Sequence, residues 1–380
     1  MHHSVAVIGT RGYPSYYGGF ETAVRRLAPY LAENGWDVNV YCRPGATKDD
    51  DDLRDYRVRT TRTAGLEKKS LSTLSYGLTA VLHALWQKPD AALIMNVANG
   101  FWLPLLKMRG IPTVVNVDGL EWERAKWGHL AKSVFRLGAR FTARFADYLV
   151  SDSLEIQRRW REDFGRDSIF IPYGGDEPAE LDVIPGLDHG SYVLMVARFV
   201  PENTVAEFFA AVELIAEDYP VVIVGSCGYG GDLDAAAKGL DERYPNVSWL
   251  GHLSDDRKLW SLWQHAGAYF HGHSVGGTNP ALVQAMACGA PIVARQTPYN
   301  AEVLLDEEHL VAPDPLVIEK ALRRMLTDSD LRESTGRRNR ERAARYYNWP
   351  DVCRRYEQSL EQAIEASRRP SARTLQRNPV

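Results

Sequence analysis

Short apolar runs that stop at a glycine, each followed by a stretch with helical period, recur along the whole chain. This alternation restricts the fold more than any other feature of the sequence. Residues 4–9 read SVAVIG, a run suited to a strand buried on both faces. The loop TRGYPSYYGGFET follows, then Ala23, Leu27 and Leu31 at helical spacing, a stop at Asn34-Gly35, and the alternating WDVNVYC of residues 36–42. Strand, glycine loop, helix and strand make the first crossover of a doubly wound parallel sheet. The rhythm continues with strands expected at 91–95, 112–117, 147–151 and 168–172, and helices at about 71–87, 100–107, 130–145 and 154–164. The class is therefore α/β. The first loop is not GxGxxG, and Arg43-Pro44 stands where an acidic residue would follow the second strand. A dinucleotide fingerprint is missing, which counts against a nicotinamide dehydrogenase.

Residues 177–190 (EPAELDVIPGLDHG) are acidic, carry prolines and have no period, so they read as a linker. The alternation then restarts, with strands expected at 192–197, 221–224, 247–250 and 269–271 and helices over 204–217 and 255–265. At 380 residues the chain exceeds one ordinary core. The expected organisation is a Rossmann-like domain over 1–176, the linker, a second such domain over 191–348, a helix over 349–367 and a disordered tail from 368 to 380. Ligands of paired doubly wound sheets bind beyond the carboxyl ends of the strands, which points to a cleft between the two halves.

No apolar run reaches the roughly 18 residues that span a bilayer, and the opening residues carry no signal-peptide pattern. Four cysteines without CxxC spacing argue for reduced thiols in a cytoplasmic protein and against a disulfide frame or a zinc site. The net charge of −4 is unevenly spread: residues 1–175 hold 24 Lys and Arg against 19 Asp and Glu, the remainder 21 against 30. Much of the basic excess lies between Arg124 and Arg161. That asymmetry suits an anionic surface such as a membrane leaflet, and equally a solvated charged helix face.

The stretch 270–303 holds the densest chemistry. Gly276 and Gly277 form a turn, Thr278-Asn279-Pro280 opens a helix, and 291–294 is a buried strand. Asn279 is a good N-cap and Pro280 suits the first helical position. Leu282, Val283, Met286 and Ala287 share one face, and Gly289 sits where a C′ glycine would. Such a helix start points backbone N–H groups and the positive dipole end at the glycine turn, a ready site for a phosphate-bearing ligand. An ordinary loop-to-helix junction has the same local sequence.

The wording GTRGYPSYYGGFET, VDGLEWERAKW and HGHSVGGTNPALVQAMACGAPIVA resembles the family 4 glycosyltransferases of the GT-B fold. It is closest to the bacterial subgroup of rhamnosyltransferases in cell-surface polysaccharide assembly, and the resemblance covers roughly residues 4–365. It implies two Rossmann-like domains facing a cleft, with a C-terminal helix returning to the first domain and Trp349 and Tyr356 as its anchors. It also implies a retaining, metal-independent transfer with no cofactor beyond the nucleotide-sugar donor. The partner so implied is a saccharide or lipid-linked saccharide acceptor; the basic segment adds peripheral contact with an anionic membrane at the inner face of the plasma membrane as an expectation, and no nucleic acid is expected.

By the same resemblance Gly276, Gly277, Thr278 and Asn279 match the diphosphate loop, and Gly18-Gly19 matches the first-domain loop that approaches the same group. Arg198 matches the diphosphate-binding arginine, while Asn203 stands where the family has lysine. The family's pair of glutamates is replaced by Gly276 and Gln284. Gln284 can still accept from a ribose hydroxyl. A glycine in the first position suits a deoxysugar donor such as dTDP-L-rhamnose; UDP- or GDP-hexoses, or a catalytically weak sugar-nucleotide-binding protein, are the alternatives. Asp118, after a first-domain strand, is placed to orient sugar hydroxyls, and a buried N-cap aspartate is the competing reading.

Overall fold

The computed structural model describes residues 2–16, 18–47, 51, 54–67, 69–124, 127–228 and 230–369. The chain divides into two compact units. The first holds residues up to Ile171 together with those from Val352 onward, and the second holds Pro172–Asp351.

In the first unit the order is β1 (Ser4–Ile8), α1 (Gly19–Glu33), β2 (Asp37–Cys42), β3 (Arg59–Arg62), α2 (Lys69–Gln87), β4 (Ala91–Met95), α3 (Leu103–Met108), β5 (Thr113–Asn116), α4 (His129–Phe145), β6 (Tyr148–Ser151), α5 (Leu154–Phe164) and β7 (Ile169–Phe170). The strands form one parallel sheet in the order β3-β2-β1-β4-β5-β6-β7. Every residue of β4 and β5 is buried, as strands covered by helices on both faces must be. The expected period of α1 holds, with Ala23, Leu27 and Leu31 all buried.

The second unit runs β8 (Val193–Val196), α6 (Val205–Ile215), β9 (Val221–Val224), α7 (Asp232–Arg243), β10 (Val247–Trp249), α8 (Asp256–His265), β11 (Ala268–His271), α9 (Pro280–Ala287), β12 (Ile292–Arg295), α10 (Pro298–Leu304), β13 (Leu310–Val311), α11 (Pro315–Thr327) and α12 (Ser329–Tyr346). Its parallel sheet has the order β10-β9-β8-β11-β12-β13. Side chains alternate between two cores: Val193, Met195, Val221 and Ile223 face one, while Leu194, Val222 and Val224 face the other. In both sheets the chain leaves the first strand in one direction and later resumes on its other side. The switch points lie between β1 and β4 and between β8 and β11.

The last helix, α13 (Trp349–Arg368), contains the boundary between the units, which falls after Asp351. From Val352 on it packs in the first unit. Tyr30 Oη and Trp36 Nε1 both donate to Glu357, at 3.0 and 2.9 Å. Tyr356 anchors it as expected, but Trp349 does not: Trp349 lies against Gly174 in the second unit, where a Cβ on that glycine would come within 2.7 Å of the ring.

The expected domain limits shift for a related reason. Residues 172–190 belong to the second unit, and the segment expected as a free linker is strapped along α8. Gln264 Oε1 accepts from Leu181 N–H at 3.1 Å, Gln264 Nε2 donates to Ala179 O at 3.0 Å, and Ser261 donates to Asp182 O at 2.7 Å. A segment without apolar period can still be ordered when side chains satisfy its backbone. The tail beyond 369 lies outside the described residues. Cys42, Cys288 and Cys353 are buried free thiols and Cys227 is half-buried.

Candidate active site

Arg198 follows β8 and the segment 272–279 follows β11, so the two sit at the carboxyl ends of the adjacent strands that flank the switch point. The guanidinium of Arg198 is exposed, and no ion pair holds it among the described residues. Its backbone is held instead: Asn203 Nδ2 donates to Arg198 O at 2.7 Å. Asn203 is buried, and its Oδ1 meets His273 Nδ1 at 2.6 Å. The residue standing at the lysine position therefore ties the arginine's loop to the glycine-rich loop.

The segment 272–279 is fixed at several further points. Gly272 lies so close to Asn203 that a Cβ there would sit 2.2 Å from the Asn203 carbonyl oxygen, which only glycine tolerates. Thr204, at a positive φ of 55°, donates from Oγ1 to Gly272 O at 2.6 Å and receives Arg295 Nη1 at 2.9 Å. Ser274 donates from both N and Oγ to Glu202 O at 2.9 Å, and Asn300 Nδ2 donates to His273 O at 3.0 Å. Gly276 turns at φ 85°, the left-handed region. Gly277 and buried Thr278 then lead into Asn279, whose Oδ1 accepts Ala281 N–H at 2.9 Å as the N-cap of α9. Pro280 occupies the first helical position and Gly289 has φ 76° beyond the C-cap. A preformed turn of backbone donors at a helix start, with an exposed arginine at the end of the neighbouring strand, is an arrangement that favours a phosphate group.

Gln284 lies apart from that loop. Its Oε1 accepts Asp176 N–H at 2.9 Å and its Nε2 donates to Asp176 O at 2.8 Å, so the amide clasps the backbone of Asp176. A ribose hydroxyl would have to use the second lone pair of Oε1.

In the first unit, Gly18 is the N-cap position of α1 and Gly19 its first residue. The carboxylate of Glu21, 5% exposed, accepts Arg11 N–H at 2.8 Å, and a Cβ on Gly18 would lie 3.3 Å from it. Asp118 stands just beyond β5 at φ 56°, an uncommon conformation for a residue with a Cβ. Asp118 N–H donates to Asn116 Oδ1 at 2.9 Å, and Asn116 Nδ2 donates to Tyr356 Oη at 2.6 Å. The hydroxyl of a fully buried tyrosine on α13 thus holds the asparagine that fixes the turn. Asp118 is half-buried and is not an N-cap: the following helical turn, Glu121–Glu123, starts after Leu120. Beyond it Glu121 pairs with Arg124 at 2.7 Å and accepts from Trp127 Nε1 at 2.8 Å.

Residue spacing alone did not bring out His273, Thr204, Asn300, Glu21 or Asn116 as site residues. The available signal was His271-Gly272-His273: His271 ends β11 and is buried, whereas His273 lies past the strand and is half-buried. Its neighbour His271 is 4% exposed, and burial pushes its pKa down to about 3.

Residues 18–174 match the family described as Glycosyl transferase 4-like domain, and residues 182–342 match Glycosyl transferases group 1. A phosphatidyl-myo-inositol mannosyltransferase of Mycobacterium leprae is 30% identical over 212 residues, 52% of this chain and 55% of that protein. An uncharacterized glycosyltransferase of Methanocaldococcus jannaschii is 26% identical over 235 residues, 58% and 59% of the two chains. The chain thus spans a little over half the length of these relatives. Among solved structures, sucrose-phosphate synthase of Thermosynechococcus elongatus aligns with a TM-score of 0.80 at 20% identity, covering 96% of this chain and 100% of that one. Anabaena HepE in complex with UDP-glucose aligns at 0.74 and 14% identity, covering 95% and 100%. With two doubly wound sheets, a segment matching the 4-like domain and then one matching group 1, the chain has the two-domain fold of these solved structures.

Proposed function

We propose that the chain is a retaining, metal-independent glycosyltransferase that moves a sugar from a nucleoside-diphosphate donor to a saccharide acceptor. The observation that carries this is that Arg198, exposed and in no ion pair among the described residues, and the locked 272–279 turn follow the adjacent strands β8 and β11 at the switch point, with Asn203 linking the two loops. In the transfer the bond from the anomeric carbon to the diphosphate oxygen breaks, and its electron pair passes to the diphosphate. The acceptor hydroxyl oxygen bonds the same face of that carbon and its proton goes to the departing diphosphate. Arg198 and the start of α9 meet the charge that develops there, with Gly276, Gly277, Thr278 and Asn279 forming the cradle. Asp118 orients sugar hydroxyls, and Gly18-Gly19 leaves room for the acceptor.

The donor we favour is dTDP-L-rhamnose, because Gly276 and Gln284 remove the two carboxylates that relatives present to donor sugar and ribose. The acceptor we favour is a lipid-linked saccharide in cell-surface polysaccharide assembly, reached at the inner face of the plasma membrane. No described helix is long and apolar enough to cross a membrane. Membrane contact is instead assigned to α4, whose exposed residues Leu130, Ser133, Arg136, Leu137, Arg140 and Arg144 share one helical face. The mannosyltransferase relative, named for a phosphatidylinositol, supports a lipid acceptor.

The test is turnover with a panel of nucleotide sugars and a lipid-linked acceptor, followed as nucleotide release. Release with dTDP-L-rhamnose alone supports the favoured donor, and release with a UDP- or GDP-hexose replaces it. No release from the folded chain with any donor contradicts the enzymatic reading. Arg198→Ala should reduce turnover by about a hundredfold or more.

A further inference from the structure

Glu202 is the one acidic side chain in residues 197–204 and 271–279, the segments that form the strand-end loops of β8 and β11. It lies in the short helical turn Pro201–Asn203, four residues after Arg198 and two before Thr204. Its backbone is fixed against the glycine-rich segment. Ser274 donates to Glu202 O from both N and Oγ at 2.9 Å, and the next two residues, Asn203 and Thr204, donate to Arg198 O and Gly272 O. Glu202 therefore stands at the junction of the two loops and cannot leave it without breaking bonds to one or the other.

Its carboxylate has no such ties. Glu202 is 8% exposed, and its Oε1 is fully buried with no hydrogen-bond partner. No hydrogen bond or ion pair engages the group among the described residues, although Arg198 follows β8 and Arg295 ends β12. Burying a carboxylate without donors is costly, and such a group persists in a fold where something outside the chain satisfies it. That partner has to be a hydrogen-bond donor. A phosphate carries the wrong sign of charge, and among the described residues no three His, Cys, Asp or Glu side chains gather to hold a metal ion with it. The hydroxyls of a sugar carried by a diphosphate are donors of the right kind.

We propose that Glu202 accepts hydrogen bonds from hydroxyls of the donor's sugar, so that the loop which meets the diphosphate through Arg198 also reads the group attached to it. This rests on the nucleotide-sugar reading of the same loops and deepens it, since residues 271–287, from the end of β11 through α9, contain no carboxylate for that task. In the free chain the unsatisfied carboxylate is destabilising, and the sugar's hydroxyls relieve it on binding.

The test is a titration of the full chain with the nucleotide sugar that the wild-type protein binds best, among dTDP-L-rhamnose and UDP- and GDP-hexoses, and with the matching nucleoside diphosphate. Glu202→Leu has a similar volume and removes both oxygens. It should lower nucleotide-sugar affinity about tenfold, leave nucleoside-diphosphate affinity unchanged, and keep the melting temperature of the free chain at or above the wild-type value. Glu202→Gln, which keeps one acceptor oxygen, should show a smaller loss of the same selectivity. A loss that is equal for both ligands, together with a lower melting temperature, marks the residue as structural and overturns the inference. Nucleotide-sugar binding that Glu202→Leu leaves at the wild-type value overturns this inference alone, whereas a wild-type chain that binds no nucleotide sugar overturns the nucleotide-sugar reading along with it.

Discussion

The two doubly wound units solve the same problem, holding strand-end loops still, with different materials. In the second unit the loops after β8 and β11 are tied by small polar side chains to backbone carbonyls: Asn203 to Arg198, Thr204 to Gly272, Ser274 to Glu202 and Asn300 to His273. In the first unit the turn after β5 is tied through Asn116 to a tyrosine from the far end of the chain. The loop beyond it is filled by a glutamate–arginine pair and tryptophans. Short polar ties leave backbone donors exposed at a fixed spacing, which suits one invariant group such as a diphosphate. Aromatic packing holds a loop through its side chains and leaves no such row of backbone donors. Bond-by-bond locking on one side and aromatic packing on the other is the difference that the following variants test.

The largest expected effect is at the tightest lock. Gly272→Ala drives a Cβ to 2.2 Å from Asn203 O and should destabilise the second unit by about 3 kcal/mol, with the loss read as hydrogen-exchange protection falling around 198–204 and 271–279. Unchanged protection there would break the claim that these loops form one rigid piece.

Acid should act on the second unit through His271. Its pKa in the folded chain is depressed to about 3 by burial, against roughly 6.5 for an unfolded histidine. The contribution is therefore fully present above about pH 6.5 and is lost as pH falls toward the folded value, amounting to about 2 kcal/mol at pH 5. His189, lowered first by burial and then by His265 and Arg332, adds in the same direction. Denaturant unfolding at pH 7 and pH 5 should show this loss, and His271→Gln should flatten it; an equal pH slope in the variant would place the acid sensitivity elsewhere.

Tyr356→Phe removes the acceptor for Asn116 Nδ2 and should cost about 1 kcal/mol of stability. It should also reduce turnover several-fold while nucleoside-diphosphate affinity stays at the wild-type value, since the change is confined to the Asp118 turn. Loss of nucleotide affinity instead would blur the division of labour between the units. The smallest effect belongs to α4: charge reversal at Arg136 and Arg140 should weaken flotation with anionic vesicles at low salt without altering turnover on a water-soluble acceptor. Wild-type flotation that is absent at low salt would remove α4 from the account.

Much of the architecture was legible from period alone, because buried parallel strands and the apolar stripes of α1 and α9 write themselves into sequence. The C-terminal part of the second unit was not. α12 reads SDLRESTGRRNRERAARY, and its buried face is Thr335, Gly336, Asn339 and Ala343. It packs by close approach, with Asn339 Nδ2 bonding Ala290 O at 2.9 Å and a Cβ on Gly336 lying 2.5 Å from Gly289 O. Small polar contacts of this kind carry no hydrophobic period. α11 was recoverable, since Asp314-Pro315 is a cap signal ahead of Ile318, Leu322 and Met325. The site divides in the same way. Gly276 to Asn279 could be read from turn and cap chemistry, whereas the Arg198–Asn203–His273 link joins residues up to 75 positions apart and exists only once β8 and β11 lie side by side.

The most direct test of the central assignment is a calorimetric titration of dTDP, UDP, GDP and ADP into the wild-type chain and Arg198→Ala. The account predicts that at least one nucleoside diphosphate binds the wild-type protein and that its affinity falls about tenfold or more in the variant. Absence of binding to all four, or an affinity that Arg198→Ala leaves unchanged, would contradict a diphosphate site at the β8/β11 switch point.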